Sequence, residues 1–189
     1  MNKRERRVDR RETELTPARY AQMAREREEL RRGYKHLFIR IAVLAGIGVI
    51  LFSFVFLVTQ AVGNDMFPAV KDGDLVIGYR LQREYSKDDV VIYTVDGKTH
   101  IGRVAARATD EVTLDDSGTL LVNGVAQGGE ILYPTYAKEG IEYPYTVPEN
   151  CIFVLGDYRT QTEDSRDFGA IPLKNVKGKV ITILRRRGL

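Results

Sequence analysis

Nineteen consecutive residues, Ile41 to Thr59, carry no charge, and only Ser53 and Thr59 among them have polar side chains. At ~1.5 Å rise per residue, a helix of that length spans roughly 28 Å, about one hydrocarbon core. The charge on either side is uneven. Residues 1–40 hold 13 Lys/Arg against 7 Asp/Glu, whereas residues 41–189 hold 16 against 19. A basic flank before the apolar run places the N-terminus in the cytoplasm and the C-terminal part outside a plasma membrane crossed once. The competing reading is a cleavable signal peptide, for which Ala61-Val62-Gly63 offers small residues. Against it, the apolar run exceeds the ~7–15 residues usual for such signals, and a long charged region precedes it. A retained anchor is expected. The chain then divides into a basic, partly helical cytoplasmic tail (1–36), a transmembrane helix (37–60) and an extracytoplasmic domain (61–189).

Within the tail, residues 1–16 mix charges without an apolar period, as disordered segments do. Thr16-Pro17 is a helix-start signal, followed by Arg and Glu at spacings of three and four. Such a helix is a solvated juxtamembrane element or a docking site for a cytosolic partner. Acidic residues interrupt the basic ones throughout, which argues against nucleic-acid binding.

Beyond the anchor the pattern changes to short β-rich runs separated by turn residues. Strands are expected over Asp74–Tyr79, Val90–Thr94, Thr99–Arg107, Glu111–Leu114, Leu120–Val122, Cys151–Leu155 and Val176–Leu184. Asp96-Gly97 is a hairpin turn signal, and Asp115-Asp116-Ser117-Gly118 and Asn123-Gly124 mark further turns. Residues 127–149 read as an extended insertion. The expected fold class is all-β, an antiparallel domain preceded by one membrane helix. Cys151 is the sole cysteine, so no internal disulfide can form. Neither His36 nor His100 has a Cys or His at ligand spacing, so neither a metal nor a cofactor is expected.

Four blocks then carry a resemblance. The apolar run leads at once into Gly63-Asn64-Asp65-Met66-Phe67-Pro68. Asp72-Gly73-Asp74 opens a strand. Ile101-Gly102-Arg103-Val104 lies on another. The longest block is Gly156-Asp157-Tyr158-Arg159, continuing through Thr162, Asp164, Ser165 and Arg166 to Gly169. Together they resemble the bacterial type I signal peptidases, membrane-bound enzymes of the Ser–Lys type. That family shows Gly-x-Ser-Met-x-Pro in the first block, Lys-Arg-Val in the third, and Gly-Asp-Asn-Arg-x-x-Ser-x-Asp-Ser-Arg-x-x-Gly in the last. Here Asp65 stands in the serine position and Gly102 in the lysine position.

The resemblance implies a serine hydroxyl attacking the scissile carbonyl, a neutral lysine taking its proton and a backbone N–H stabilising the oxyanion. Asp65 would bring negative charge to the developing oxyanion, and Gly102 brings no base. No catalytic residue is therefore assigned. Three substitutes can be named. Asp65 with Asp164 could form a carboxylate pair, but in the family the matching Asp pairs with the Arg matching Arg166. Ser165 could act as nucleophile, but its family role is structural. His100 shares a strand face with Gly102 and could approach as a base, although an ordinary strand residue is the plainer reading.

The resemblance further implies a peptide cleft at Gly63, Asn64, Asp65, Met66, Pro68, Gly102 and Arg103. It implies structural support from Asp157, Arg159, Thr162, Asp164, Ser165 and Arg166. Signal-peptidase-like proteins of Gram-positive pilus assembly show this kind of double replacement. The expected function is accordingly a non-catalytic membrane protein that binds an exported, pilin-like polypeptide and assists pilus or surface-protein assembly, with a sortase as further partner. The alternatives are a divergent but active signal peptidase, and an anchor whose basic tail recruits cytosolic proteins.

Overall fold

The structure, a computed structural model, describes residues 17–128 and 131–185. Residues 1–16, expected to be disordered, lie outside that range. The chain divides into two compact units, residues 1–51 and 52–189.

Helix α1 runs from Pro17 to Val55 without interruption. Proline suits the first helical position, because its missing N–H would have no intrahelical partner there. The helix contains a stretch long and apolar enough to cross a membrane, and none of that stretch is buried among the described residues. An unburied apolar helix is the pattern expected of a segment solvated by lipid. The charged and apolar segments, expected as separate elements, are thus one continuous helix.

Its end corrects the expected span of 37–60. Phe56–Gln60 is strand β1, paired antiparallel with Leu75–Tyr79 from Phe56↔Tyr79 to Gln60↔Leu75. Phe56, Val58 and Thr59 are aromatic or β-branched and favour a pleated surface once a partner strand is present. The apolar run therefore changes secondary structure at Val55 without any change in composition.

The remaining strands are β2 (Leu75–Tyr79), β3 (Val90–Val95), β4 (Lys98–Arg107), β5 (Glu111–Leu114), β6 (Leu120–Val122), β7 (Val125–Ala126), β8 (Tyr145–Thr146), β9 (Cys151–Leu155), β10 (Ile171–Pro172) and β11 (Val176–Leu184). A short helix, α2, covers Ser165–Phe168. The larger sheet has the order β1-β2-β11-β3-β4-β9-β10 and the smaller one β7-β6-β5-β8. Every pairing is antiparallel. Asp96 and Gly97 both take positive φ in the β3–β4 hairpin, as do Asn123 and Gly124 between β6 and β7. Such turns fit the right-handed twist of their strands. Among the described residues, 127–149 carry only β8.

Three apolar clusters form the core. One joins Ala61, Met66, Val70, Val76 and Ile92, and lies beneath the segment that follows β1. A second joins Tyr93, Val104, Ile152, Val154 and Ile171 across the larger sheet. The third joins Val112, Leu120, Phe153 and Leu155 between the sheets. Cys151 is a free, half-buried thiol against this third cluster.

Strand β4 changes partner along its length. Lys98 to Arg103 pair with β3, whereas Arg103 to Arg107 pair with β9 across an irregularity at Val104–Ala106. The two ladders overlap only at Arg103. On the side away from β3, the Lys98–Gly102 backbone therefore runs as a sheet edge inside the molecule.

Candidate functional site

A cleft of about 450 Å³ opens along that edge. The segment Thr59–Gly63 forms one wall, Lys98–Ile101 the other, and Asp65, Met66 and Val70 complete the lining. The wall after β1 is held in place by its backbone. Ala61 donates to the Asp74 carbonyl at 2.8 Å, and Gly73 donates to the Ala61 carbonyl at 2.9 Å. Gly63 N–H donates to Asp72 Oδ1 at 2.9 Å. The Asp72-Gly73-Asp74 block thus positions the loop that carries Asp65.

The loop is also clasped from the other end of the sequence. Tyr158 N–H donates to the Asp65 carbonyl at 2.9 Å. A Cβ on Gly156 would lie 2.7 Å from that carbonyl oxygen and 2.3 Å from Thr162 Cγ2. Glycine is required at 156 because backbone, rather than a flexible tip, occupies the space. The Tyr158 ring packs against Tyr133 at 4.6 Å and Phe67 at 6.1 Å, extending the clasp with aromatic surface.

Behind the loop lies a fully satisfied polar network. Asp164 Oδ1 accepts from Arg166 Nε at 2.9 Å and from Arg166 N–H at 3.0 Å. Asp164 Oδ2 accepts from Arg166 Nη2 at 2.8 Å, Thr162 Oγ1 at 2.7 Å and Gly156 N–H at 3.2 Å. Arg166 also donates to the Arg159 carbonyl at 2.6 Å and the Tyr136 carbonyl at 3.1 Å. Arg159 donates to the Gly156 carbonyl and to Thr135 Oγ1. Ser165 Oγ accepts from Val154 N–H at 2.9 Å, so it is bound into β9 and does not face the cleft lining. Burial alone would raise the Asp164 carboxyl, but the Arg166 hydrogen bonds and charge prevail and hold it below the ordinary carboxylate range. A carboxylate so engaged is a poor partner for a shared proton with Asp65.

The expected cleft residues separate in space. Gly63, Asp65 and Met66 line the cleft. Asn64 is exposed and accepts from Phe67 N–H. Pro68 is exposed after a cis peptide bond. Arg103 does not face the cleft. Its Nε and Nη2 grip both Asp157 oxygens at 2.8 and 2.7 Å, a bidentate pair that ties β4 to the loop after β9.

Gly102 is likewise not part of the lining. It is buried, and a Cβ there would lie 2.5 Å from Val154 Cγ1 and 3.3 Å from Tyr93 Cε1 and the Leu155 carbonyl. The expectation that Asp65 and Gly102 face one cleft is corrected accordingly. The space that a Cβ at 102 would take is crowded by Val154, whose own side chain is fully buried.

His100 does line the cleft. Its ring stacks on Tyr93 at 5.5 Å and packs against Phe168 at 5.7 Å. The Asp65 carboxyl is pushed up, first by burial. The charge of His100 opposes that shift, Glu163 and Asp164 add to it, and Lys138 opposes it more weakly. His100 was legible from its alternation with Gly102 on one strand face, whereas Lys98 was not singled out, although the same alternation reaches it. The facing wall, Thr59 to Val62, carried no motif. Among the described residues, no group of three or more His, Cys, Asp or Glu is placed to hold a metal.

Comparison with known proteins agrees with the motif blocks. Residues 34–184 match the family model described as signal peptidase, peptidase S26, and the chain belongs to that family. A probable thylakoidal processing peptidase 2, chloroplastic, from Arabidopsis thaliana is 32% identical over 134 residues, which cover 62% of this chain and 35% of that protein. A signal peptidase I from Bacillus caldolyticus is 28% identical over 160 residues, covering 76% of this chain and 85% of that protein. The chain spans only 35% and 38% of the lengths of two thylakoidal relatives. The crystal structure of a signal peptidase I from Enterococcus faecalis V583 superimposes with a TM-score of 0.44 at 27% identity, covering 52% of this chain and 97% of that one.

Proposed function

We propose that this protein is a non-catalytic member of its family: a single-pass membrane protein, N-terminus inside, that holds an exported polypeptide in the cleft beside β4. Its role would be to assist assembly of pilin-like surface proteins together with a sortase. The observation that carries this reading is the packing at Gly102. With Val154 Cγ1 only 2.5 Å from where a Cβ would stand, position 102 does not accept a side chain unless its neighbours shift. A carboxylate, Asp65, occupies the loop position that the motif correspondence gives to the nucleophile. The cleft nonetheless keeps an open strand edge at Lys98–Ile101, and an extended chain can join such an edge by backbone hydrogen bonds.

The full-length protein in lipid nanodiscs, given a fluorogenic signal-peptide substrate, is expected to show no cleavage above the rate without protein. A photo-crosslinking residue at Thr99 is expected to capture an exported chain in membranes. A second reading, a divergent active peptidase, is favoured by His100 and Asp65 lining one cleft and by the peptidase names of its relatives. Specific cleavage lost in Asp65→Ala or His100→Ala would establish that reading in place of the first.

A further inference from the structure

The carboxylates near the cleft are nearly all spoken for. Asp157 is gripped by Arg103, Asp164 by Arg166, Asp89 by Lys179, and Asp167 by Lys138. Lys138 also donates to the Thr162 carbonyl, so its ammonium is already engaged. Asp65 differs. It is half-buried and lines the cleft, and among the described residues no N–H or side chain donates to its carboxylate. Ala61, Val62, Met66, Val70 and Ile101 contribute apolar surface to the same cleft, beside the polar Thr59, Gln60 and Thr99. A carboxylate removed from water without donors is costly, and a cation bearing N–H groups would satisfy both its charge and its lone pairs.

The neighbouring charges do not meet that need. Burial and the negative charges of Glu163 and Asp164 press against ionisation of Asp65, and only His100 and the already paired Lys138 oppose them. His100 is held by its ring contacts to Tyr93 and Phe168. Lys98 also lines the cleft, but it is exposed beside the Asp96-Gly97 turn and is not among the charges acting on Asp65. The cleft is therefore a mostly apolar trough with an unmatched anion set into it, beside a strand edge suited to an extended chain.

We infer that Asp65 receives a cationic side chain, lysine or arginine, from the polypeptide laid along Lys98–Ile101, so that the cleft selects exported segments carrying a basic residue at that register. This rests on the chain-holding function proposed above. It gives Asp65 a specificity role: the carboxylate forms the far half of an ion pair completed only when the partner is bound. A desolvated ion pair of this kind discriminates strongly, because a neutral side chain in the same place would leave the carboxylate buried and unpaired.

The test uses the full-length protein in nanodiscs and a positional-scanning library of acetylated nonapeptides of Ala, Ser and Thr. Each position in turn carries Lys, Arg, norleucine or Glu, and binding is read by fluorescence anisotropy. At one register, Lys and Arg peptides are expected to bind on the order of tenfold tighter than the norleucine peptide. Asp65→Asn, with an unchanged circular dichroism spectrum, is expected to abolish that preference. Equal binding of Lys and norleucine peptides at every position, or a preference that survives in Asp65→Asn, would overturn the inference while leaving the chain-holding function intact. Lysine-like affinity from an unacetylated norleucine peptide would overturn it in favour of a terminal amine. Binding of none of the peptides would remove both the inference and the function on which it rests.

Discussion

At the residue scale, Gly102 and Asp65 sit in physically different surroundings. Asp65 has a side chain in an open cleft, so its chemistry can be changed without repacking. Gly102 has no side chain because its neighbours fill the space. Gly102→Lys is therefore expected to destabilise the protein by about 1–3 kcal/mol through overpacking, measured by urea unfolding of the full-length protein in detergent. Adding Val154→Ala, which removes the atom 2.5 Å from the new Cβ position, should recover part of that loss. If Gly102→Lys alone unfolds at the parental urea concentration, the sealed-strand account fails.

Asp65 gives a pH signature. Its folded carboxyl titrates above the unfolded value, chiefly through burial. Ionising it therefore costs more in the native than in the unfolded state, and native stability falls as pH rises from the unfolded pKa through the raised one. Asp65→Asn should accordingly raise Tm at pH 7, and the gain should shrink toward zero as pH drops below the unfolded carboxyl value. A Tm difference that stays constant across that range would show that ionisation is not its source.

At the scale of elements, the strand pairs were visible in the sequence wherever a turn marked them. Asp96-Gly97 announced the β3–β4 hairpin because both residues must take positive φ. Strand β1 was hidden. Phe56 to Gln60 continues the apolar run of α1, and nothing local distinguishes the last helical residue from the first strand residue. The switch is decided by β2, which follows only after the Asp65 loop. Similarly, Gly102 could be placed on a strand, but its seal depends on Val154, which β9 brings across the sheet. Such pairings are properties of register and not of motif.

Strand β1 also forms one edge of the larger sheet, so removing it should matter. A chain that begins at Val62 is expected to lose the cover over β2, expose its unpaired N–H and C=O groups and aggregate. A chain that begins at Phe56 should remain soluble to a greater degree. Light scattering of the two purified side by side would check this, and equal solubility would show that β1 is dispensable.

At the scale of the whole molecule, the long apolar helix and the β-rich class were legible because they depend on composition and period. The cleft was legible only in part. Its motif-bearing residues Gly63, Asp65 and Met66 line it, while Arg103 turns away to Asp157 and much of the lining comes from residues without a motif. The basic excess before the apolar run predicts an orientation that is open to direct measurement. In a variant whose sole cysteine is moved by Cys151→Ala and Val62→Cys, an impermeant maleimide should label intact cells. With cysteine at Tyr20 instead, labelling should require permeabilised cells. The reverse pattern would invert the proposed topology. Val62 suits the purpose because its side chain is 86% exposed.

The seal at Gly102 has a consequence for how such a chain can change over time. A side chain at 102 is accommodated with less strain where residue 154 is smaller than valine, so the two positions are coupled. Substitutions along the exposed cleft lining, such as Val62 and Thr99, meet no such constraint, so the lining can vary one residue at a time while positions 102 and 154 change together.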